Sequence, residues 1–383
     1  MEFDLTENQL AFQEAARSFA EKELAPYAAQ WDAKKIFPKE AIRKAGEIGF
    51  CGVYIREDVG GLGLSRLDAT IIFEELAAAC PSTTAYITIH NMVTWMIDHY
   101  GSDEVRKKFC PELTSGQKLG SYCLTEPGSG SDAASLKTTA VKKDNHYILN
   151  GTKAFVSGAG ETDVLVVMAK TGEKEISSFV VPTSLKGISF GENEKKLGWN
   201  SQTTRFIFFD NVEVPEEYLL AEEGMGFKIA LKGLDGGRIN IGICSVGAAQ
   251  ASLNHALKYM HEREQFGKPL AQFQALQFKI SDMVTEIVAS RQMIRLAAFK
   301  LDAKDSQATA YCAMAKRLAT DLCFNVCNQA IQLFGGYGCT QEFPVERLMR
   351  DARIHQIVEG TNEIMRVIVS KKILEEGATR QIR

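Results

Sequence analysis

The hydrophobic and polar positions of this 383-residue chain change their period twice. From Thr6 the pattern is helical: Thr6 and Gln9 have capping-box spacing, and Leu10, Phe12, Ala16, Phe19, Ala20 and Leu24 recur every three or four residues. Runs of the same kind cover 39–49, 66–80, 83–99 and 103–115. Pro127, Gly128 and Gly130 then break the helical pattern, and short β-branched or aromatic runs follow. His146 to Leu149, the pair Asn150-Gly151 and Thr152 to Val156 predict a hairpin, because a type I′ turn needs positive φ at both central residues. Asp163 to Ala169, Ser177 to Val181 and Thr204 to Phe209 predict further strands. After Pro215 the long period returns over 226–262, 273–302, 306–333 and 344–374, with short joints such as Gly267-Lys268-Pro269-Leu270 and Gly335-Gly336-Tyr337-Gly338.

The expected fold class is α+β: an N-terminal helical domain over 1–120, a middle β-sheet domain over 121–222 and a C-terminal four-helix bundle over 223–383. No internal repeat and no low-complexity linker separates the segments, so they are expected to share interfaces, with a ligand site between them.

The formal net charge of -4 gives no global basic field, which argues against nucleic acid or an anionic membrane as principal partner. Nine cysteines without a CxxC pair fit reduced, packed thiols. Cys323 and Cys327 lie one helical turn apart with no second pair nearby, and the six histidines show no ligand spacing, so no metal site is expected. The first ten residues carry acidic and polar groups where a signal peptide needs a basic start and an apolar run. No stretch approaches the roughly 20 apolar residues of a membrane span. The expectation is a soluble chain of the bacterial cytoplasm, or of the mitochondrial matrix after processing.

Chemistry concentrates first at the switch from helix to sheet. Ser121 to Asp132 combines hydroxyls, small residues and glycines suited to a flat, polar-edged ligand, though an ordinary loop has the same composition. It is not a GxGxxG between strand and helix, so a nicotinamide Rossmann enzyme is disfavoured.

YCLTEPGSGSD, Tyr122 to Asp132, resembles the first signature of the acyl-CoA dehydrogenase family. NGTKAFVSGAG, GWNSQTTR, GLDGGRINIG, REQFGKPL, NQAIQLFGGYG and RDARIHQIVEGTNEIMR match further family segments in the same order along nearly the whole chain. The resemblance implies FAD as cofactor and removal of a proton from Cα and a hydride from Cβ of an acyl-CoA thioester. It puts Tyr122, Leu124, Thr125, Gly130 and Ser131 against the flavin, with Ser131 also facing the acyl-CoA. Phe155, Val156 and Ser157 match the aromatic-aliphatic-hydroxyl triplet on the flavin's other side; many members carry Trp at the first position and Thr at the third. Read without the family, Phe155 and Val156 are sheet core.

By the same resemblance Arg263, Phe266 and Gln274 reach the FAD of a neighbouring subunit, Gln332, Gly335 and Gly336 form another FAD segment, and Thr361 and Glu363 lie near its adenosine. The two glycines also read as a helix C-cap. A homo-oligomer follows, usually a tetramer in this family. Asp235, Arg238 and Gly360 match acyl-CoA-side positions, although an Asp-Arg pair three apart on a helix is equally a structural ion pair.

Glu359 matches the family's catalytic base. A thioester α-proton lies roughly ten or more pKa units above a carboxylate, at about 1.4 kcal/mol per unit. The family bridges that gap by binding the thioester oxygen to the flavin ribityl chain and to the glutamate's own backbone N–H, while burial raises the carboxyl. Some relatives place the base instead where this chain has Gly237. Within the family the likeness runs to members that convert isobutyryl-CoA to methacrylyl-CoA in valine breakdown and pass electrons to electron-transferring flavoprotein. Butyryl-CoA or 2-methylbutyryl-CoA is the alternative substrate, acyl-CoA oxidase the second enzyme class, and Thr88 to Trp95 the expected pocket floor.

Overall fold

The computed structural model describes residues 4–376 and 382, so the outermost ends of the first and third expected segments lie outside the described residues. Helix α1 (Glu7–Phe19) starts on the expected capping box: Thr6 Oγ1 accepts from Gln9 N at 3.3 Å and Thr6 N donates to Gln9 Oε1 at 3.1 Å. A π-helical turn (Ala20–Leu24) carries it on to α2 (Ala28–Lys34), and α3 (Lys39–Glu47), α4 (Arg66–Ala79), α5 (Pro81–Tyr100) and α6 (Asp103–Thr114) complete the helical domain. Helix α5 is buried nearly all round, and its polar side chains are satisfied inside: the hydroxyls of Thr84, Thr88 and Thr94 donate to the carbonyls of Cys80, Ala85 and His90.

The middle of the chain forms one sheet, with β1 (Gly120–Cys123), β2 (Thr139–Lys143), β3 (His146–Ser157), β4 (Val164–Lys170), β5 (Ile176–Pro182), β6 (Ile188–Phe190), β7 (Thr204–Pro215) and β8 (Leu219–Leu220). Its order is β6-β7-β3-β2-β4-β5-β8, and β1 pairs in parallel with β4.

The expected hairpin at Asn150-Gly151 does not form. Residues 146–157 are a single strand, and the tight turn lies at Asp144-Asn145, with Asp144 at φ 54° and the pair Lys143/His146 closing it. Asn150 and Gly151 instead face a bulge in β7, where Asn211 adopts φ 50° and donates its backbone N–H to Asn150 Oδ1 at 2.8 Å. Gly151 is required there by crowding: a β-carbon would stand 2.5 Å from Thr138 Oγ1. The pattern read a turn residue correctly but put it to the wrong use.

Helices α7 (Gly226–Glu262), α8 (Gln274–Asp302) and α9 (Ala308–Phe334) are the long members of the C-terminal helical domain. The expected fourth helix over 344–374 is two helices, α10 (Val345–His355) and α11 (Asn362–Glu376). The break falls where Glu359 and Gly360 adopt φ 58° and 88°, which no right-handed helix accommodates. Helix α7 packs on α8 and α9 and also against α4 and α5, so one apolar core runs through all three segments. Eight cysteines are buried in accord with packed thiols, whereas Cys339 is exposed. Among the described residues no cluster of His, Cys, Asp or Glu is arranged to hold a metal ion, and no helix is long and apolar enough to cross a membrane.

Candidate active site

The six-residue connection between α10 and α11 carries Glu359, and α9 holds it in shape. The Lys316 ammonium donates to the carbonyls of Gln356 at 3.2 Å and Gly360 at 2.9 Å and to Asn362 Oδ1 at 2.8 Å. Asn362 in turn donates to Thr320 Oγ1 at 2.9 Å and Asp321 Oδ1 at 2.6 Å. From α7, Arg238 Nε reaches the Glu359 carbonyl at 3.4 Å. A non-glycine residue at φ 58° costs about 1 kcal/mol or more, and these bonds hold it there.

The Glu359 side chain turns toward α7. A β-carbon on Gly237 would stand 2.7 Å from Glu359 Cδ, so the absent side chain is the space that the carboxyl occupies. Oε2 is buried and has no hydrogen-bond partner. Burial pushes the carboxyl up to about 7, against the opposing pull of the Arg238 and Lys316 charges. The N–H of Glu359 donates to no backbone carbonyl among the described residues. Arg238 is spent on a buried ion pair with Asp235 at 2.9 Å, which also accepts from Thr309 Oγ1 at 2.7 Å. The Asp-Arg pair is thus a structural ion pair, and its arginine braces the turn that carries Glu359.

A small apolar cluster, apart from the main core, adjoins this carboxyl. Ala85 and Ile89 of α5, Trp199 of the loop between β6 and β7, and Ile241 of α7 form it, with Tyr122, Ile354 and Val358 packed against it. Trp199 is fixed by its backbone N–H, which donates to Asp351 Oδ1 at 2.6 Å, and by the His355 ring at 5.5 Å between centroids. The Tyr122 hydroxyl is buried there without a partner. Elements from all three segments thus converge on Glu359.

The Tyr122–Asp132 segment leaves β1 and is organised by a pair that the sequence reading missed. Lys153, on β3 and fully buried, donates to Leu124 O at 3.1 Å and to Glu126 Oε1 at 2.8 Å. The Glu126 carboxylate also accepts from Lys137 N at 2.6 Å and Thr138 N at 3.0 Å. Burial alone would raise this carboxyl, but the bonds from Lys153, Thr138 and Lys137 overturn that and hold it below the usual carboxylate range. A lysine and a glutamate 27 residues apart carry no sequence signal of their own, since only the sheet brings them together.

Leu124 is buried and Thr125 half-buried, while Gly130 and Ser131 are exposed at the segment's end. Opposite them, Phe155 is squeezed out of β3 at a bulge between Lys153 and Val156, at φ 55° and 62% exposed. Val156 is buried and Ser157 half-buried. Phe155 is therefore not sheet core, whereas Val156 is. Gly128 and Gly130 have open space where side chains would be, so the rim has room for a large flat ligand beside the unpartnered Tyr122 hydroxyl.

A second group of predicted positions lies elsewhere. Arg263, Gln332, Gly335 and Gly336 line a surface cleft of about 520 Å³ with Tyr259 and Tyr337, and Gly335, at φ 62°, caps α9 with open space around it. Phe266 (93% exposed) and Gln274 are also exposed. None of these adjoins the Glu359 cluster within one chain. Thr361 Oγ1 accepts from Ile364 N at 3.3 Å at the start of α11, and Glu363 is an exposed side chain on its first turn.

Comparison with known proteins agrees along the whole length. The family models for the N-terminal, middle and C-terminal domains of acyl-CoA dehydrogenase match residues 6–117, 121–212 and 224–374. Mitochondrial isobutyryl-CoA dehydrogenase of Bos taurus is 54% identical over 97% of this chain and 90% of its own. That of Dictyostelium discoideum is 53% identical over the same shares. Butyryl-CoA dehydrogenase from Megasphaera elsdenii superposes with a TM-score of 0.95 at 38% identity, covering 98% of this chain and 100% of its own. With the fold, the ordered motifs and three family models in agreement, the chain belongs to the acyl-CoA dehydrogenase family.

Proposed function

We propose that this FAD-dependent acyl-CoA dehydrogenase converts isobutyryl-CoA to methacrylyl-CoA in valine breakdown, with Glu359 as the base that removes the Cα proton. The observation that carries the reading is the Glu359 carboxyl: buried, unpartnered, raised to about 7, and set in an apolar wall built by all three segments. A base poised near working pH can take a proton from carbon and release it again. FAD, when bound, supplies the acceptor for the hydride leaving Cβ. The unengaged N–H of Glu359 is free to hold the thioester oxygen as negative charge develops on it. Arg238 and Lys316 keep the turn in place, and the apolar cluster excludes water from the carboxyl.

Tyr122, Leu124, Thr125, Gly130 and Ser131, facing Phe155, Val156 and Ser157, would hold the ring of FAD, and Ser131, Asp235, Arg238 and Gly360 lie on the acyl-CoA side. The cleft at Arg263, Gln332, Gly335 and Gly336, with Phe266, Gln274, Thr361 and Glu363, would complete the cofactor site of a second copy. That arrangement needs a homo-oligomer, taken here as a tetramer with domain limits at 120/121 and 222/223. Electron-transferring flavoprotein is the proposed acceptor and the bacterial cytoplasm the proposed compartment. Butyryl-CoA remains the competing substrate because the structural likeness extends to a butyryl-CoA enzyme.

The deciding experiment is anaerobic flavin bleaching with isobutyryl-, n-butyryl-, 2-methylbutyryl- and isovaleryl-CoA at equal concentration. Isobutyryl-CoA is expected to bleach fastest. A faster straight chain overturns the substrate but keeps the reaction, and no bleaching with any overturns the reaction. Oxygen consumption matching turnover would indicate an oxidase instead.

A further inference from the structure

Arg66, the first residue of α4, is buried to 8% exposure, and no carboxylate among the described residues pairs with it. The nearest candidate, Asp302, is spent on the helix N-terminus, where its two oxygens accept from the backbone N–H groups of Arg66 and Leu67 at 2.9 and 3.1 Å. The guanidinium lies instead over aromatic rings, 3.5 Å from the centroid of Tyr54 and 5.1 Å from that of Trp95. Tyr54 is held by Asn240 Nδ2, which donates to its hydroxyl at 3.2 Å. Nη1 of Arg66 has no hydrogen-bond partner. A buried, cationic, unsatisfied donor calls for an account of what it faces.

It faces the same stretch of α7 as the proposed base. A β-carbon on Gly236 would stand 2.5 Å from Arg66 Nη1, as one on the next residue, Gly237, would stand 2.7 Å from Glu359 Cδ. Consecutive Cα atoms are about 3.8 Å apart, so the guanidinium and the carboxyl lie within about 12 Å of each other on one stretch of α7. The two glycines keep that wall bare. The base needs to come within about 3 Å of the Cα proton. An alkyl end needs about 3.5–4.0 Å from the atoms it meets. What remains between them, even at the full separation, is room for only a few carbons beyond the thioester carbonyl.

We propose that Arg66 is a specificity-determining residue: its guanidinium, held over the Tyr54 ring, forms the far wall of the acyl pocket and confines the enzyme to short, apolar acyl groups. The proposal rests on the dehydrogenase reading above. A short branched group stops before the cation, whereas each added methylene has to displace or desolvate it. Trp95, from the expected pocket floor, backs the same wall from α5.

The test uses the FAD-loaded enzyme and measures kcat/KM for isobutyryl-, butyryl-, hexanoyl- and octanoyl-CoA in the wild type, Arg66→Ala and Arg66→Met. FAD content and melting temperature are recorded for each. Wild-type kcat/KM is expected to fall at least about tenfold from butyryl- to hexanoyl-CoA, the scale at which one or two methylenes discriminate. Arg66→Ala is expected to raise the hexanoyl-to-isobutyryl ratio by about tenfold or more, and Arg66→Met by less, because it restores bulk without charge. A parallel loss on all four substrates, with the ratio unchanged, would overturn the proposal by making Arg66 structural only. Should neither variant fold, the wild-type profile still decides, since a flat response out to octanoyl-CoA is incompatible with a cationic wall. Failure of the wild type to act on any acyl-CoA would strike the dehydrogenase reading itself and is thereby distinguishable.

Discussion

Gly237 and Glu359 share one space: with a β-carbon on Gly237 only 2.7 Å from Glu359 Cδ, the helix and the turn can supply a side chain there from one side alone. The relatives expected to place a base on this helix and the chain described here are therefore two solutions to filling the same volume. Gly237→Ala is expected to displace the Glu359 carboxyl and lower kcat by about 100-fold, the scale of a 1 Å misplacement, with FAD content unchanged. Glu359→Gly with Gly237→Glu is expected to bleach faster than Glu359→Gly alone. Equal rates for the double and single variants would show that the space is shared sterically but not chemically.

Glu359→Gln preserves shape and removes the proton acceptor. It is expected to bind FAD and acyl-CoA and to lose bleaching by at least about three orders of magnitude. In the wild type, kcat/KM is expected to rise with pH and level off above about 7, because the free carboxyl must ionise first. Full activity in Glu359→Gln, or a pH-independent kcat/KM between 5 and 9, would remove Glu359 from the mechanism.

The raised carboxyl has an opposite signature in stability. Its folded value of about 7 exceeds the ordinary 4.5, so between these values the folded state binds more protons than the unfolded one, and stability falls as pH rises. Comparing melting temperatures of the wild type and Glu359→Gln from pH 4.5 to 8 isolates this contribution. The advantage of the glutamine variant is expected to grow across the interval; a constant difference would show that the carboxyl is ionised throughout.

Lys316 is lowered to about 7 by burial, yet its three acceptors are the frame of the turn that carries Glu359. Lys316→Met is expected to leave FAD content intact and reduce kcat by at least tenfold, since a carboxyl held by a loosened turn is misplaced. It also removes a positive charge that favours ionised Glu359, so the midpoint of the kcat/KM profile is expected to move to higher pH. A lower kcat with an unmoved midpoint would assign Lys316 to packing alone.

Lys153→Met strips the buried Glu126 carboxylate of its charged partner while its two backbone donors remain. Breaking one side of a buried pair costs about 3–5 kcal/mol, which predicts a clear drop in melting temperature. Because Glu126 shapes the segment that carries Tyr122 to Ser131, weaker FAD retention on gel filtration is expected as well. Unchanged stability and cofactor content would mean that the loop is held by its backbone bonds without the pair.

The sequence by itself determined the order of helix, sheet and helix, because amphipathic period and chain-breaking residues are local properties of consecutive positions. Its ordered motifs also singled out Glu359 and the Tyr122 segment. The tertiary structure alone decided what those residues meet. Asn150-Gly151 has the composition of a turn, but crowding by Thr138 and the bulge at Asn211 made it the middle of a strand. Residues 344–374 have the period of one helix, but Lys316, from a helix distant in sequence, holds the reversal that divides it. Arg66, Tyr54 and Gly236 come from separate elements, and no pattern along the chain connects them. Burial and charge pairing are sums over neighbours in space, so the raised carboxyl and the wall beside it exist only once the three segments have closed on one another.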